Sequence, residues 1–173
     1  MNPTDDPSLS AEGSDGPAED RPGEEDVAAI IKRLVDGEPF CVLCTQGQGW
    51  PYGSLVAYAI SDDLATAVFT TPRDTRKFRN LLECEHVALL IDNRSQFPDE
   101  LMKIEAATAT GRAVLIDGTE DFERWADLLV QRHPYLAAAV RSPSHGLFRV
   151  DIASYFHVCR LQEVRHWSPG GLA

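Results

Sequence analysis

Strands follow one another in this chain too closely for helices to cross between them. Phe40 to Thr45, Tyr52 to Ile60 and Ala65 to Thr70 are rich in β-branched, aromatic and aliphatic residues and read as strands. Only Gln46-Gly47-Gln48-Gly49, leading through Trp50-Pro51, and Ser61-Asp62-Asp63 separate them. That spacing predicts an antiparallel meander and excludes the strand–helix alternation of a Rossmann-type sheet.

The remaining elements fit around this meander. Val27, Ile30, Ile31 and Leu34 mark one face of a helix that Gly37 ends. Val87 to Ile91 is an unbroken apolar run, as in a strand covered on both faces. Phe97-Pro98-Asp99-Glu100 opens a linker, and Ala106 to Ile116 forms a long strand in which Gly111 predicts a bulge or a close backbone approach. Asp117-Gly118 turns the chain into a helix from Asp121 to Arg132, with Phe122, Trp125, Leu128 and Leu129 inward, stopped by His133-Pro134. A short helix, Pro134 to Val140, and two strands, Leu147 to Ile152 and Tyr155 to Val164, complete the pattern. Mostly antiparallel strands with helices set aside predict a mainly β, α+β domain whose sheet closes into a barrel.

With 173 residues and 43% hydrophobic content, the chain suits one domain with a real core. Its net charge of −11 is unevenly spread: residues 1–26 hold nine acids against one base, a net of −8 that leaves −3 for everything after. The folded part is therefore nearly balanced, and no basic surface for DNA or RNA is expected. Residues 1–25, rich in acid, proline and glycine and poor in bulky apolar groups, are expected to be a disordered acidic tail. The domain is expected to span residues 26–168, followed by a flexible C-terminus over 169–173. No run is long and apolar enough to span a bilayer, and no secretory signal opens the chain, so the expected location is the cytoplasm.

Cys41-Val42-Leu43-Cys44 is formally a Cys-x-x-Cys, but residues three apart on a strand point to opposite faces. A zinc site also needs a second close pair, which is missing, so these cysteines read as small hydrophobes. His86, His133, His145, His157 and His166 do not pair at metal-ligand spacing. No metal site is expected; His145 and His157, near or in barrel strands, are the closest to candidates.

The stretch with chemistry in it runs from Phe69 to Ser95. Thr71-Pro72-Arg73-Asp74 breaks the strand, and Asp74 or Thr75 can cap a short helix from Arg76 to about Glu83. Two threonine hydroxyls, free amides at a helix start, an Arg fork and a Lys point charge are thereby gathered within a few residues. The set suits a phosphate monoester; spacing alone suits a solvated basic helix face equally well.

Thr70-Thr71, Thr75-Arg76-Lys77, Leu81-Leu82 and Val87-Ala88-Leu89-Leu90 together resemble the phosphate-binding segment of the pyridoxamine 5′-phosphate oxidase-like, FMN-binding split barrels. Asp92-Asn93-Arg94-Ser95 resembles the residues after the buried strand in small, uncharacterised relatives, and the likeness covers roughly Val27 to Trp167. It implies an antiparallel split β-barrel. It also implies FMN lying against Gly53-Ser54-Leu55-Val56, with strand backbone bonding the flavin edge and Thr70, Thr71, Arg76 and Lys77 holding the phosphate. A flavin shared between subunits implies a homodimer, and the aromatics Trp50, Tyr52 and Phe69 are placed around that cleft. Gly53 lets a planar ring approach, although a plain strand irregularity would also explain it.

The substrate end departs from the family pattern. Tyr58 stands near the position of a substrate-phosphate lysine, Glu105-Ala106 replaces an Arg-Gln pair, and Arg160-Leu161-Gln162 replaces an Arg-x-His motif. These losses argue against oxidation of pyridoxamine phosphate itself. Two functions are expected: an FMN-dependent oxidoreductase with a small-molecule substrate or electron donor, or a non-catalytic protein holding FMN, haem or a deazaflavin. Deleting residues 1–25 is expected to leave the thermal midpoint nearly unchanged; a fall of several degrees would show the tail packing on the domain.

Overall fold

The computed structural model describes residues 24–160 and 163–170. The expected tail over 1–25 and the flexible end over 169–173 fall mainly outside these residues, as do Leu161 and Gln162. The chain runs through helix α1 (Glu24–Gly37), strands β1 (Phe40–Gly47), β2 (Trp50–Ile60) and β3 (Thr66–Pro72), helix α2 (Arg76–Glu83) and strand β4 (His86–Asp92). Strand β5 (Glu105–Leu115), helices α3 (Phe122–Arg132) and α4 (Ala137–Val140), and strands β6 (His145–Cys159) and β7 (Glu163–Trp167) complete it.

Every pairing is antiparallel, in the order β3-β2-β1-β4-β5-β6-β7, and β3 also pairs with β6. That last pairing closes β1 to β6 into a six-stranded barrel and leaves β7 as an extension of β6. The fold is thus an antiparallel α+β split barrel, and the first three strands form the expected meander. Gln48 and Gly49, at φ 54° and 78°, make the two-residue turn of the β1–β2 hairpin, whose right-handed twist such positive-φ pairs match.

The interior is a single apolar cluster that includes Leu43, Tyr58, Phe69, Leu89, Ile91, Phe148 and Tyr155. Helix α1 packs across β4, β5 and β7, with Val27, Ile31, Leu34 and Val35 buried. Its last carbonyls are held from two sides: Tyr58 Oη donates to Val35 at 3.2 Å, and Arg132 Nη2 donates to Val35, Asp36 and Glu38. A second cluster lies outside the sheet, where Trp125, Ala126 and Leu129 of α3 cover Ala59, Val68 and Leu147.

Four expectations are corrected by this architecture. The strand expected over Leu147–Ile152 runs on without a break into Tyr155–Cys159, because the irregularity between them is a bulge: Gly111 opposes Ile152 while Thr110 opposes Ser154, leaving Ala153 over. The end of the second expected strand, Val164, belongs instead to β7. A side chain at Gly111 would meet the Asp151 carbonyl oxygen at 2.4 Å, so both the bulge and the close approach are present at this glycine. Strand β4 is covered on one face only, since Ala88 and Leu90 stay half-exposed while Val87, Leu89 and Ile91 are buried. Phe69 is a core residue, fully buried and stacked on Phe148 at 5.5 Å, and borders no cleft. Of the Cys-x-x-Cys pair only Cys41 is buried; Cys44 faces outward, half-exposed.

His157 is the odd residue of the interior. It is 0% exposed, yet neither ring nitrogen has a hydrogen-bond partner. Burial pushes its pKa down, Glu105 opposes this, and Arg165 and Arg33 reinforce it. The ring is therefore neutral in the folded state at a pH where the unfolded chain, near 6.5, already binds a proton. Its contribution is complete above about pH 6.5 and is lost as pH falls through the lower folded value. His157→Leu is expected to flatten the fall in thermal midpoint between about pH 7 and pH 5 without lowering stability at pH 7. A wild-type-like slope in the variant would place the acid sensitivity elsewhere.

Candidate functional site

The site begins where the barrel is split. Residues 50–57 of β2 pair with β1 throughout, but β3 meets β2 only at Tyr58, Ala59 and Ile60. From there β3 turns to β6, pairing with it along all seven of its residues. The backbone of Trp50 to Ala57 on the side away from β1 consequently has no strand partner among the described residues. Gly53, Ser54, Leu55 and Val56 all lie on this open edge. Their side chains divide by face: Leu55 is 65% exposed, Val56 belongs to the core, and Ser54 Oγ reaches the Leu43 carbonyl at 3.5 Å. A side chain at Gly53 would touch only Val42, at 3.4 Å, so the surface beside it is open.

Helix α2 fills the gap between the diverging strands. Phe78 and Leu81 are buried in the core, and Asn80 Nδ2 donates to Thr45 Oγ1 at 3.0 Å. Thr75 is the N-cap: its Oγ1 accepts from the Phe78 amide at 3.3 Å and donates to the Pro72 carbonyl at 2.8 Å. The first-turn amides of Arg76 and Lys77 remain at the positive end of the helix.

Both cations lean toward β2. The Arg76 guanidinium lies 4.8 Å from the centre of the Tyr52 ring, and Lys77 Nζ donates to the Leu55 carbonyl at 3.0 Å. Neither forms an ion pair among the described residues. Partial burial pulls the Lys77 pKa down, with Cys41 the opposing influence, so the ammonium is less hydrated than a surface lysine. The fold thus brings two segments separated in sequence onto one strip: an open strand edge and two cations at a helix start.

The threonines are placed differently. Thr70 Oγ1 donates to the Gly146 carbonyl at 3.1 Å. Thr71 is 1% exposed and its hydroxyl meets Thr75 Oγ1 at 3.2 Å. Because the Thr75 proton goes to Pro72, Thr71 is the donor of that contact. Both hydroxyl protons therefore serve the fold, and the cations and helix amides carry the anion-binding capacity of the strip. Tyr52 as a platform for Arg76 was missed by sequence reasoning, because a cross-element stack leaves no local signature.

The open edge continues into an uncovered sheet face. Leu55, Val42, Leu90, Thr108 and Phe156 stand directly opposite one another across β2, β1, β4, β5 and β6. Beside that row runs a second, of Gly53, Cys44, Ala88, Thr110 and Ser154, all small. A cleft of about 540 Å³ lies over part of it, between Cys44, Ala88, Thr110, His86 and Arg112. The residues that depart from the family's substrate pattern are engaged elsewhere: Tyr58 is in the core, Glu105 pairs with Arg33, and Arg160 pairs with Glu163. No group of three or more metal-ligating side chains occurs among the described residues, and no helix there is long and apolar enough to cross a membrane.

Comparison with known proteins agrees with this topology. No curated protein matches the chain significantly. Among solved structures, a haem-binding protein from Mycobacterium smegmatis superposes with a TM-score of 0.74 at 15% identity, over 87% of this chain and 60% of that one. HutZ, a haem storage protein from Vibrio cholerae, gives 0.64 at 16% identity, over 82% of this chain and 94% of that one. A protein from Clostridium acetobutylicum related to general stress protein 26, of the pyridoxinephosphate oxidase family, gives 0.64 at 14% identity, over 83% and 95%. Identities of this size carry the fold alone. The sequence profile described as pyridoxamine 5′-phosphate oxidase matches residues 27–159, most of the described barrel, and the chain belongs to that family.

Proposed function

We propose that the protein is an FMN-binding flavoprotein, an FMN-dependent oxidoreductase acting on a small molecule. The observation that carries the reading is the convergence of Arg76 and Lys77, neither paired with a carboxylate among the described residues, on the open edge of β2. The donor set fits FMN at both ends. Arg76, Lys77 and the first-turn amides of α2 suit a phosphate. The backbone groups of Gly53 to Val56 that point away from β1, apart from the Leu55 carbonyl that Lys77 meets, suit the hydrogen-bonding edge of a flavin. Thr70 and Thr71 support the phosphate site by fixing the strand end and the cap. When bound, FMN supplies the electron or hydride transfer; the protein orients it, and the apolar Leu55 and Trp50 flank it against water.

The homodimer belongs to the same reading. The rows that continue from Gly53 and Leu55 across the sheet carry no charged side chain, and among the described residues no helix covers them, whereas α3 packs on β2, β3 and β6 at Ala59, Val68 and Leu147. A second copy seated there would close the flavin strip from the other side and shield a free strand edge.

A second reading, haem binding without redox turnover, is favoured by what the Mycobacterium smegmatis and Vibrio cholerae proteins are described as doing. In this chain His86 and His145 border clefts and His166 is exposed beside Phe156 of the bare face, so these histidines are accessible to a haem, while His157 is sealed in the core. The absorbance spectrum of purified protein titrated with FMN and with haemin separates the two: flavin bands at roughly 370 and 450 nm against a Soret band.

Two outcomes test the first reading. Arg76→Ala and Lys77→Ala are each expected to weaken FMN by about ten- to a hundredfold while riboflavin, which lacks the phosphate, binds weakly and nearly equally to all three proteins. If FMN affinity survives both substitutions, or riboflavin falls in parallel, the pair is an ordinary helix face. Sedimentation is expected to show a dimer that Leu90→Arg, in the middle of the bare face, converts to a monomer with impaired FMN binding. A wild-type monomer saturated with FMN would remove the two-subunit site.

A further inference from the structure

In the loop that leads to Arg76 and Lys77 at the start of α2, Arg73 ties together segments distant in sequence. Its Nε donates to the Pro143 carbonyl at 3.0 Å and its Nη2 donates to the Asp117 carboxylate. The guanidinium also lies over the Phe78 ring, 5.4 Å from its centre, and the Arg73 amide donates to the Ser144 carbonyl at 2.9 Å. Asp117 is itself fixed, since its other oxygen accepts the Leu147 amide at 3.0 Å. Arg73 and Asp117 stand in the wall of a separate cleft of about 410 Å³, which none of the proposed FMN ligands lines.

We infer that Arg73, anchored by Asp117, is a positioning residue for the FMN phosphate, fixing the Pro72–Thr75 loop and with it the aim of the α2 amides, Arg76 and Lys77. The inference rests on the flavin reading of that strip. The body of α2 is secured independently, by Phe78 and Leu81 in the core and by Asn80 on Thr45. The loop before it is tied by hydrogen bonds of Thr75 to Pro72 and Thr71, by Arg79 Nη1 on the Asp74 carbonyl at 3.3 Å, and by the Arg73 contacts, which alone join it to the Asp117 and Pro143 segments. Losing the Arg73 side chain therefore keeps the backbone bond to Ser144 but loosens the aim of the helix start, where the phosphate would bind, and leaves the helix in place. A half-exposed ion pair adds little to fold stability, so its effect falls on alignment. Lysine cannot replace it, because a single ammonium cannot reach a carbonyl and a carboxylate as a planar fork does.

The test is a double-mutant cycle with Arg73→Ala, Asp117→Asn and the pair, titrated with FMN and with riboflavin, alongside thermal melts of the ligand-free proteins. Asn at 117 keeps an acceptor for the Leu147 amide. Each variant is expected to lose about tenfold in FMN affinity with riboflavin unchanged, and the double variant to lose no more than either single one. An unaltered FMN-to-riboflavin ratio in Arg73→Ala overturns the inference, as do losses that add in the double variant. Equal weakening of both ligands shows a merely structural role and also overturns it. Should Arg73→Ala be too unstable to titrate, Arg73→Lys is expected to show the same selective loss. Wild-type protein without a preference for FMN over riboflavin overturns the flavin reading itself, a result distinct from any the variants give.

Discussion

Strand β3 can hydrogen-bond fully to only two neighbours, and it divides itself unequally between them. It gives seven residues to β6, which closes the barrel, and three to β2. Backbone groups left without partners are costly unless water, a side chain or a ligand meets them. Among the described residues, the remaining edge of β2 is met at one point by Lys77 and has no other strand partner. Closure of the barrel and creation of the candidate site are thus one event: the strand that seals the core also leaves the split.

Helix α2 makes that split usable. An unprotected edge next to an exposed Trp50 and Leu55 would invite indiscriminate pairing. Plugging the gap with a helix sets its capped N-terminus and two cations beside that edge, the kind of arrangement that attracts anions. The cap depends on a relay of hydroxyls, Thr71 to Thr75 to the Pro72 carbonyl, so the helix start is tied to the strand end before it.

Much of the architecture was legible locally. Turn residues, the Asp-or-Thr cap followed by Arg76, the α1 and α3 faces and the Gly111 irregularity all act through neighbours in sequence, and the structure places them close to where their patterns indicate. What was misread depended on distant partners. An apolar run such as Val87 to Ile91 reports that burial is possible on both faces, not that a helix covers both. The break expected near Ala153 became a bulge because β5 continues to pair on either side of it. The partners of the Thr70 and Thr71 hydroxyls, the Gly146 carbonyl at the start of β6 and the Thr75 cap of α2, likewise left no trace in the motif.

The sequence by itself determined the strand meander, the capped helix with Arg76 and Lys77 in its first turn, and membership of a split-barrel family, since each rests on short-range backbone preference or on a contiguous motif. Only the tertiary structure decided which edge of which strand those cations face, and which sheet face stays bare. It alone sealed His157 inside without partners and set Arg73 against Asp117. Those facts depend on contacts between residues far apart along the chain, and such pairings exist only once the barrel has closed.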